Sequence, residues 1–179
     1  MSLLVEAGYR PQRVAQEAPE VRLPEETPEA MVVRLACDKA RWALKRLPPQ
    51  HPVGIVVGAD TAVVLGDTVL GKPVSDEAAR RMLGRLSGHR HRVLTGVALI
   101  RSRDGREVSA VETTQVEFHR VTPEAIERYV AGGSTSDKAG AYGIQDLDDT
   151  WIAAIDGLRS NVIGLPVERL AGWISTLQD

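Results

Sequence analysis

Residues 53–60 read VGIVVGAD, a run of β-branched and small apolar residues that stops at a carboxylate. An apolar run this short, bounded by turn-forming residues, predicts a buried strand with Asp60 at its carboxyl end. The next run, Ala62–Leu65, reaches Gly66-Asp67, a hairpin signal. Two alternating stretches, about 91–101 and 106–119, meet around Asp104-Gly105 and predict a long antiparallel hairpin, and WIAAI at 151–155 is a further strand. Helices fall between them. Residues 2–7 end a helix closed by Gly8. Thr27 caps a helix over about 28–47 with Pro28 at its first position; Val32, Leu35, Ala36, Ala40 and Ala43 share a face, Lys39 lies near its edge, and Pro48-Pro49 ends it. Further helices run from Ser75 or Asp76 to about Leu86-Gly88, from Thr122-Pro123 to Gly132-Gly133, and onward from Pro166. Residues 16–28, rich in Glu and Pro, and the glycine-rich residues 134–150 read as loops. The sum is a mixed α/β domain with buried and half-exposed strands.

A chain of 179 residues fits one domain with two lobes around a cleft, and 43% hydrophobic residues suffice for its core. The net charge of −2 gives no basic excess, so no stable nucleic-acid complex is expected and any anion site has to be built locally. Cys37 is the sole cysteine, which excludes an internal disulfide and fits a reducing compartment. No segment has the length and apolarity of a membrane span, and the N-terminus lacks the features of a signal peptide. A cytoplasmic location is expected.

Four places could carry chemistry. Asp60 at a strand end could hold a metal ion or activate water, or simply cap a turn. Gly71-Lys72-Pro73 could bring an ammonium to a phosphate or be a plain surface turn; it is not a phosphate-binding P-loop. His89, Arg90, His91 and Arg92 would alternate across a strand, His89 and His91 on one face; they could bind a metal, but with no Cys or third His nearby in sequence exposed edge charges are the simpler reading. The loop SDKAGAYGIQ, 136–145, combines Asp137 and Lys138 with small residues, Tyr142 that could stack on a base and Gln145 that could read its edge; it could equally be a glycine loop packed by a tyrosine. Trp42, Trp151 and Trp173 read as core or interface residues and Cys37 as structural.

Taken in order, LACDKA (35–40), GADT (58–61), GKP (71–73), LSGHRHRVLTGV (86–97), TTQVEF (113–118), DKAGAYGIQ (137–145) and NVIGLP (161–166) resemble the Maf family. The resemblance implies a fold like that of the inosine-triphosphate pyrophosphatases, with a long twisted mixed sheet, flanking helices and a central cleft. It also implies hydrolysis of nucleoside triphosphates to the monophosphate and pyrophosphate with Mg²⁺ or Mn²⁺, removal of surplus or modified nucleotides, a link to septum formation, and a homodimer. Residue by residue, Asp60 matches the family's catalytic aspartate, followed by Thr61; Lys39 and Lys72 match its two lysines, and Glu20 its acidic loop residue. By the same resemblance Asp60 and Glu20 hold the metal, and Thr61, Lys138, Tyr142 and Gln145 contact the substrate. The block 137–145 resembles the branch acting on dTTP and UTP.

The N-terminus departs from the family pattern. Family members open with a strand and a loop of the type L-A-S-x-S-P-R-R, whereas this sequence begins at Met1-Ser2-Leu3-Leu4, in register with the helix after that loop. A start codon assigned too far downstream is favoured over a shortened chain or a degenerate member. Arg10, Arg13 or a partner chain could supply the missing cations. The alternatives to the pyrophosphatase are a nucleotide-binding or septum-regulating protein with impaired catalysis, and a metal-dependent phosphatase of monophosphates.

Overall fold

The structure, a computed structural model, describes residues 2–14, 23–48 and 54–177. The chain runs α1 (Ser2–Glu6), α2 (Pro28–Leu44), β1 (Ile55–Leu65), β2 (Thr68–Leu70), α3 (Asp76–Leu86), β3 (Arg90–Arg101), β4 (Glu107–Phe118), α4 (Pro123–Ala131), β5 (Ile152–Asp156), α5 (Arg159–Ile163) and α6 (Val167–Ser175). Capping obeys the sequence: the Thr27, Ser75 and Thr122 hydroxyls accept from the N–H groups of Ala30, Ala78 and Ala125. α2 stops at Leu44, short of the expected 47, because its last turn tightens. Arg46 N–H donates to the Ala43 carbonyl and Leu47 N–H to that of Leu44, three residues back in each case.

The strands form a sheet in the order β2-β1-β3-β4-β5. β1 and β2 pair antiparallel with Val63 opposite Leu70, as do β4 and β5 with Val116 opposite Ile155. Ser102 N–H, just past β3, donates to the Gly54 carbonyl at 2.9 Å, just before β1, so these strands also run in opposite directions. The family resemblance implies a mixed sheet; the described pairings are antiparallel. The reason is the route of the chain: β2 returns from β1 through Gly66 at φ 58°, α3 carries it back, and β3 then descends beside β1.

β1 is one strand where the sequence suggests two. Asp60 therefore lies in the middle of an eleven-residue strand, not at its end. The apolar run on either side of Asp60-Thr61 keeps the chain extended through both.

The chain divides into two compact units. The first comprises Met1–Asp60, Thr95–Glu112 and Gly164–Asp179. Strand alternation distributes its core. Ala98, Ile100 and Val56 pack with Ala36, Cys37 and Ala40 of α2, while Val97, Leu99, Ile55 and Val57 pack with Leu170 and Leu177 near α6 and with Leu4 of α1. Both faces of β3 are thus covered, which is why it is buried almost without a break. α2 lies very close to the sheet. A Cβ on Gly96 would fall on the Val32 carbonyl, and one on Gly58 on the Ala36 carbonyl.

The second unit comprises Thr61–Leu94 and Thr113–Ile163. Leu83 and Leu86 of α3, Ile126 and Val130 of α4, Val93, Val116, Phe118, Ile144 and Trp151 form its core. Arg80 on α3 grips Glu127 on α4 with two hydrogen bonds at 2.5 and 2.8 Å. α5, which sequence periodicity does not show, is tied down by Asn161, whose Nδ2 donates to the Val93 carbonyl and to Thr114 Oγ1, each at 3.1 Å.

Since Gly96 meets helix backbone, not a flexible side chain, Gly96→Ala should destabilise the protein by about 1–3 kcal/mol, the usual cost of overpacking. Urea unfolding measures this, and an unchanged midpoint would disprove the close approach of α2.

Candidate active site

Val56, Gly58 and Asp60 occupy alternate positions of β1 and so share the face turned to α2. On the helix, Ala36 and Ala40 meet Gly58, and Lys39 stands beside them. The small residues bring the helix close, and Lys39 Nζ donates to Asp60 Oδ1 at 2.5 Å. Asp60 is 8% exposed. A carboxylate at that depth has to be paired, because removing an ion from water costs several kcal/mol or more. The structure therefore brings together two of the residues singled out in the sequence, and does so inside the first unit.

Lys39 also lines a cavity of about 590 Å³ in that unit. Trp42 and Leu47 from the helix side, Ile55 and Val57 from β1, and Leu165 form its apolar wall. Arg10 and Arg13 line it with Lys39, and no Asp or Glu among the described residues does. The sequence alone offers no support for a role of Arg10 or Arg13; their place on this wall becomes visible only in three dimensions. Arg46 stacks on the Trp42 ring, 3.6 Å from its centroid.

The remaining candidates belong to the second unit. Thr61 comes directly after Asp60 on β1. Lys72 sits in the turn after β2, and Gly140 N–H donates to the Gly71 carbonyl at 3.0 Å, so this turn is tied to the 138–146 loop. In that loop the side chains of Lys138, Gln145 and Asp146 crowd over Gly143. Gln145 is exposed.

Lys138 and Tyr142, both expected to contact the substrate, have partners within the protein. Lys138 Nζ donates to the Ser134 carbonyl at 2.7 Å and to Asp137 at 2.9 Å, and lies 3.6 Å from Asp146. Burial opposes its charge, but the Asp137 hydrogen bond and the two carboxylates hold its pKa above the usual value. It braces the loop. Tyr142 is 5% exposed, and its hydroxyl lies 2.8 Å from His91 Nε2, so no ring face is offered to a base. Its ring belongs to the core and packs edge-on against Phe118.

His91 departs from the expected pattern of exposed strand charges. His89 and Arg90 are exposed, but His91 is 2% exposed. Burial pushes its pKa down to about 4, offset in part by the His89 backbone, so the ring is neutral. Cys37 is buried against Glu107, and burial first, then that neighbour, pushes its thiol up, which leaves it structural.

Among the described residues no three His, Cys, Asp or Glu side chains gather as a closed metal site. Asp60 instead suits the mode in which Mg²⁺ is taken by one or two carboxylates, water and the phosphates of a substrate. Glu20, the second carboxylate expected from the sequence, lies outside the described residues. No helix among the described residues is long and apolar enough to cross a membrane.

The family model described as Maf-like protein matches residues 1–177. A protein of Syntrophotalea carbinolica named dTTP/UTP pyrophosphatase is 42% identical over 165 residues, covering 92% of this chain and 74% of its own. One of Shewanella denitrificans with the same name is 40% identical over 184 residues, covering 99% and 90%. One of Symbiobacterium thermophilum, again so named, is 49% identical over 144 residues, covering 80% and 71%.

The buried groups make two outcomes measurable. Lys39→Met strips Asp60 of its ammonium and should cost about 3–5 kcal/mol of stability, read from urea unfolding; a neutral effect would contradict the pairing. For His91, the unfolded chain binds a proton below about pH 6.5 that the folded chain refuses until about 4. Stability is therefore full above pH 6.5 and falls as the pH drops towards 4, by up to about 3 kcal/mol. His91→Leu should flatten that limb of the stability curve, and an unaltered slope would show that His91 is not the group responsible.

Proposed function

Since the chain belongs to the Maf family, we propose that it hydrolyses dTTP and UTP to the monophosphate and pyrophosphate, with chemistry centred on Asp60 and Lys39. One observation carries the assignment: a carboxylate set in the middle of an apolar strand, gripped by a lysine that lines a cavity whose charged side chains, among the described residues, are all cationic. Structural economy does not explain such a carboxylate, since an apolar residue there would avoid the cost of burying charge.

In the proposed reaction a water molecule attacks the α-phosphorus. Asp60 takes a proton from that water, the bond from the α-phosphorus to the bridging oxygen breaks, and pyrophosphate leaves with the electron pair. Lys39 has two duties. It keeps Asp60 ionised and oriented, and its charge offsets the charge building on the phosphate oxygens. The polyphosphate is drawn to the cavity by Lys39, Arg10 and Arg13. Asp60, with Glu20, would hold Mg²⁺ or Mn²⁺, which when bound neutralises phosphate charge and orients the phosphates. Lys72, which the family resemblance pairs with Lys39 as the second lysine of the site, likewise offsets charge on the phosphate oxygens, and Thr61 and Gln145 contact the substrate, as the same resemblance implies.

Turnover in ¹⁸O-labelled water tests the reading. With dTTP, UTP, CTP and GTP as substrates and Mg²⁺ or Mn²⁺ present, dTTP and UTP should yield monophosphate carrying the label and unlabelled pyrophosphate. Release of inorganic phosphate from monophosphates would point to a different phosphatase, and nucleotide binding without product to a regulatory role.

A further inference from the structure

The 138–146 loop holds an unusual backbone. Gly140 and Ala141 have φ of 67° and 65°, and Ala141 is 0% exposed. Left-handed backbone suits glycine; an alanine there persists only where its surroundings hold it. A side chain at Gly140 would also be crowded, since a Cβ there would lie 3.0 Å from Val63 carbons. Tyr142 is the next residue in the chain, and its hydroxyl meets His91 Nε2 at 2.8 Å in a closed cage. His91 packs edge-on against both Phe118 and Tyr142, at centroid distances of 4.9 and 5.6 Å. The other ring nitrogen, Nδ1, is buried with no hydrogen-bond partner of ordinary geometry among the described residues.

A purely structural core would place an apolar ring at position 91, with no buried nitrogen left over. The polar pair costs something, and what it gains is location. It fixes the height at which Tyr142 enters the core, and with it the loop on either side. Gly140 passes this constraint to the Lys72 turn through the Gly71 carbonyl. On the other side Gly143 follows Tyr142 directly, two residues before Gln145, and its N–H donates to the Tyr129 hydroxyl at 3.1 Å.

We propose that His91 and Tyr142 are positioning residues: their buried hydrogen bond, anchored in β3, sets the loop that carries Gln145 and the turn that carries Lys72, and thereby the affinity for the nucleotide. The inference rests on the reading above in which Lys72 and Gln145 touch the substrate. Neither His91 nor Tyr142 touches it.

The test is a double-mutant cycle on the full chain with UTP as substrate. Tyr142→Phe removes one oxygen and keeps the ring. His91→Gln keeps an amide that can replace Nε2 as donor or acceptor, and His91→Leu keeps neither. Tyr142→Phe and His91→Leu should each raise KM about tenfold, the effect of losing one buried hydrogen bond, with kcat within about twofold. The double variant should be no worse than either single one, because both remove the same bond. His91→Gln should restore KM. Independently of turnover, the amides of Gly140 and Gly143 should exchange with solvent faster in both single variants. Unchanged exchange in Tyr142→Phe overturns the anchor. Faster exchange with an unchanged KM, or effects that simply add, overturns its role in binding. If the wild-type chain fails to hydrolyse dTTP and UTP, the parent reading fails and takes the binding role with it, whatever the exchange shows.

Discussion

A carboxylate in the middle of an apolar strand is the condition around which the first unit is built. Asp60 can stay ionised at that depth only if a cation reaches it, and the cation comes from α2. For a lysine near the edge of the helix's apolar face to reach a strand residue, helix and strand must approach closely. Gly58 and Gly96 on the strands and Ala36 and Ala40 on the helix make that approach, since each withholds bulk from the contact. The close packing and the ion pair depend on each other: a larger residue at 58 or 96 would lift Lys39 away from Asp60.

The second unit solves a related problem differently. Its buried polar groups are neutral and serve to hold loops. Thr114 Oγ1 accepts from the Leu158 N–H at 3.0 Å and receives the Asn161 amide, which fixes the start of α5 beneath Gly157 at φ 126°. His91 and Tyr142 do the same for the 138–146 loop. The proposed chemistry in the first unit and the proposed loop positioning in the second thus rest on two kinds of buried polarity: a charged pair that has to be paired to exist, and neutral pairs that give up some stability for a defined geometry.

Much of this is legible in the sequence because local rules decide it. The caps at Thr27, Ser75 and Thr122 and the glycine turns at 66 and 105 require only short-range geometry. Asp60, Lys39 and Lys72 stand out by their order within recognisable blocks, not by periodicity. The points where sequence and structure part share a cause. A charge normally closes an apolar run, so the local pattern puts Asp60 at a strand end; the partner 21 residues earlier that keeps the strand going is a tertiary fact. A tyrosine in a glycine loop is expected to face a ligand, yet the hydrogen-bond partner of the Tyr142 hydroxyl lies 51 residues earlier. Arg10 and Arg13 carry no local signal at all, and they gain meaning only from the cavity they share with Lys39.

The proposed hydrolysis depends most on Asp60 acting as the base and not merely as an ion-pair partner. Asp60→Asn keeps the shape of the side chain and a hydrogen-bond acceptor for Lys39, while removing the basic oxygen. The measurement is the rate of pyrophosphate release from dTTP by this variant, with circular dichroism and urea unfolding confirming that it is folded. If Asp60 is the base, turnover falls by at least about 10²-fold in a folded protein. A folded Asp60→Asn variant that hydrolyses dTTP at close to the wild-type rate would contradict it, and would move the chemistry away from the Lys39–Asp60 pair.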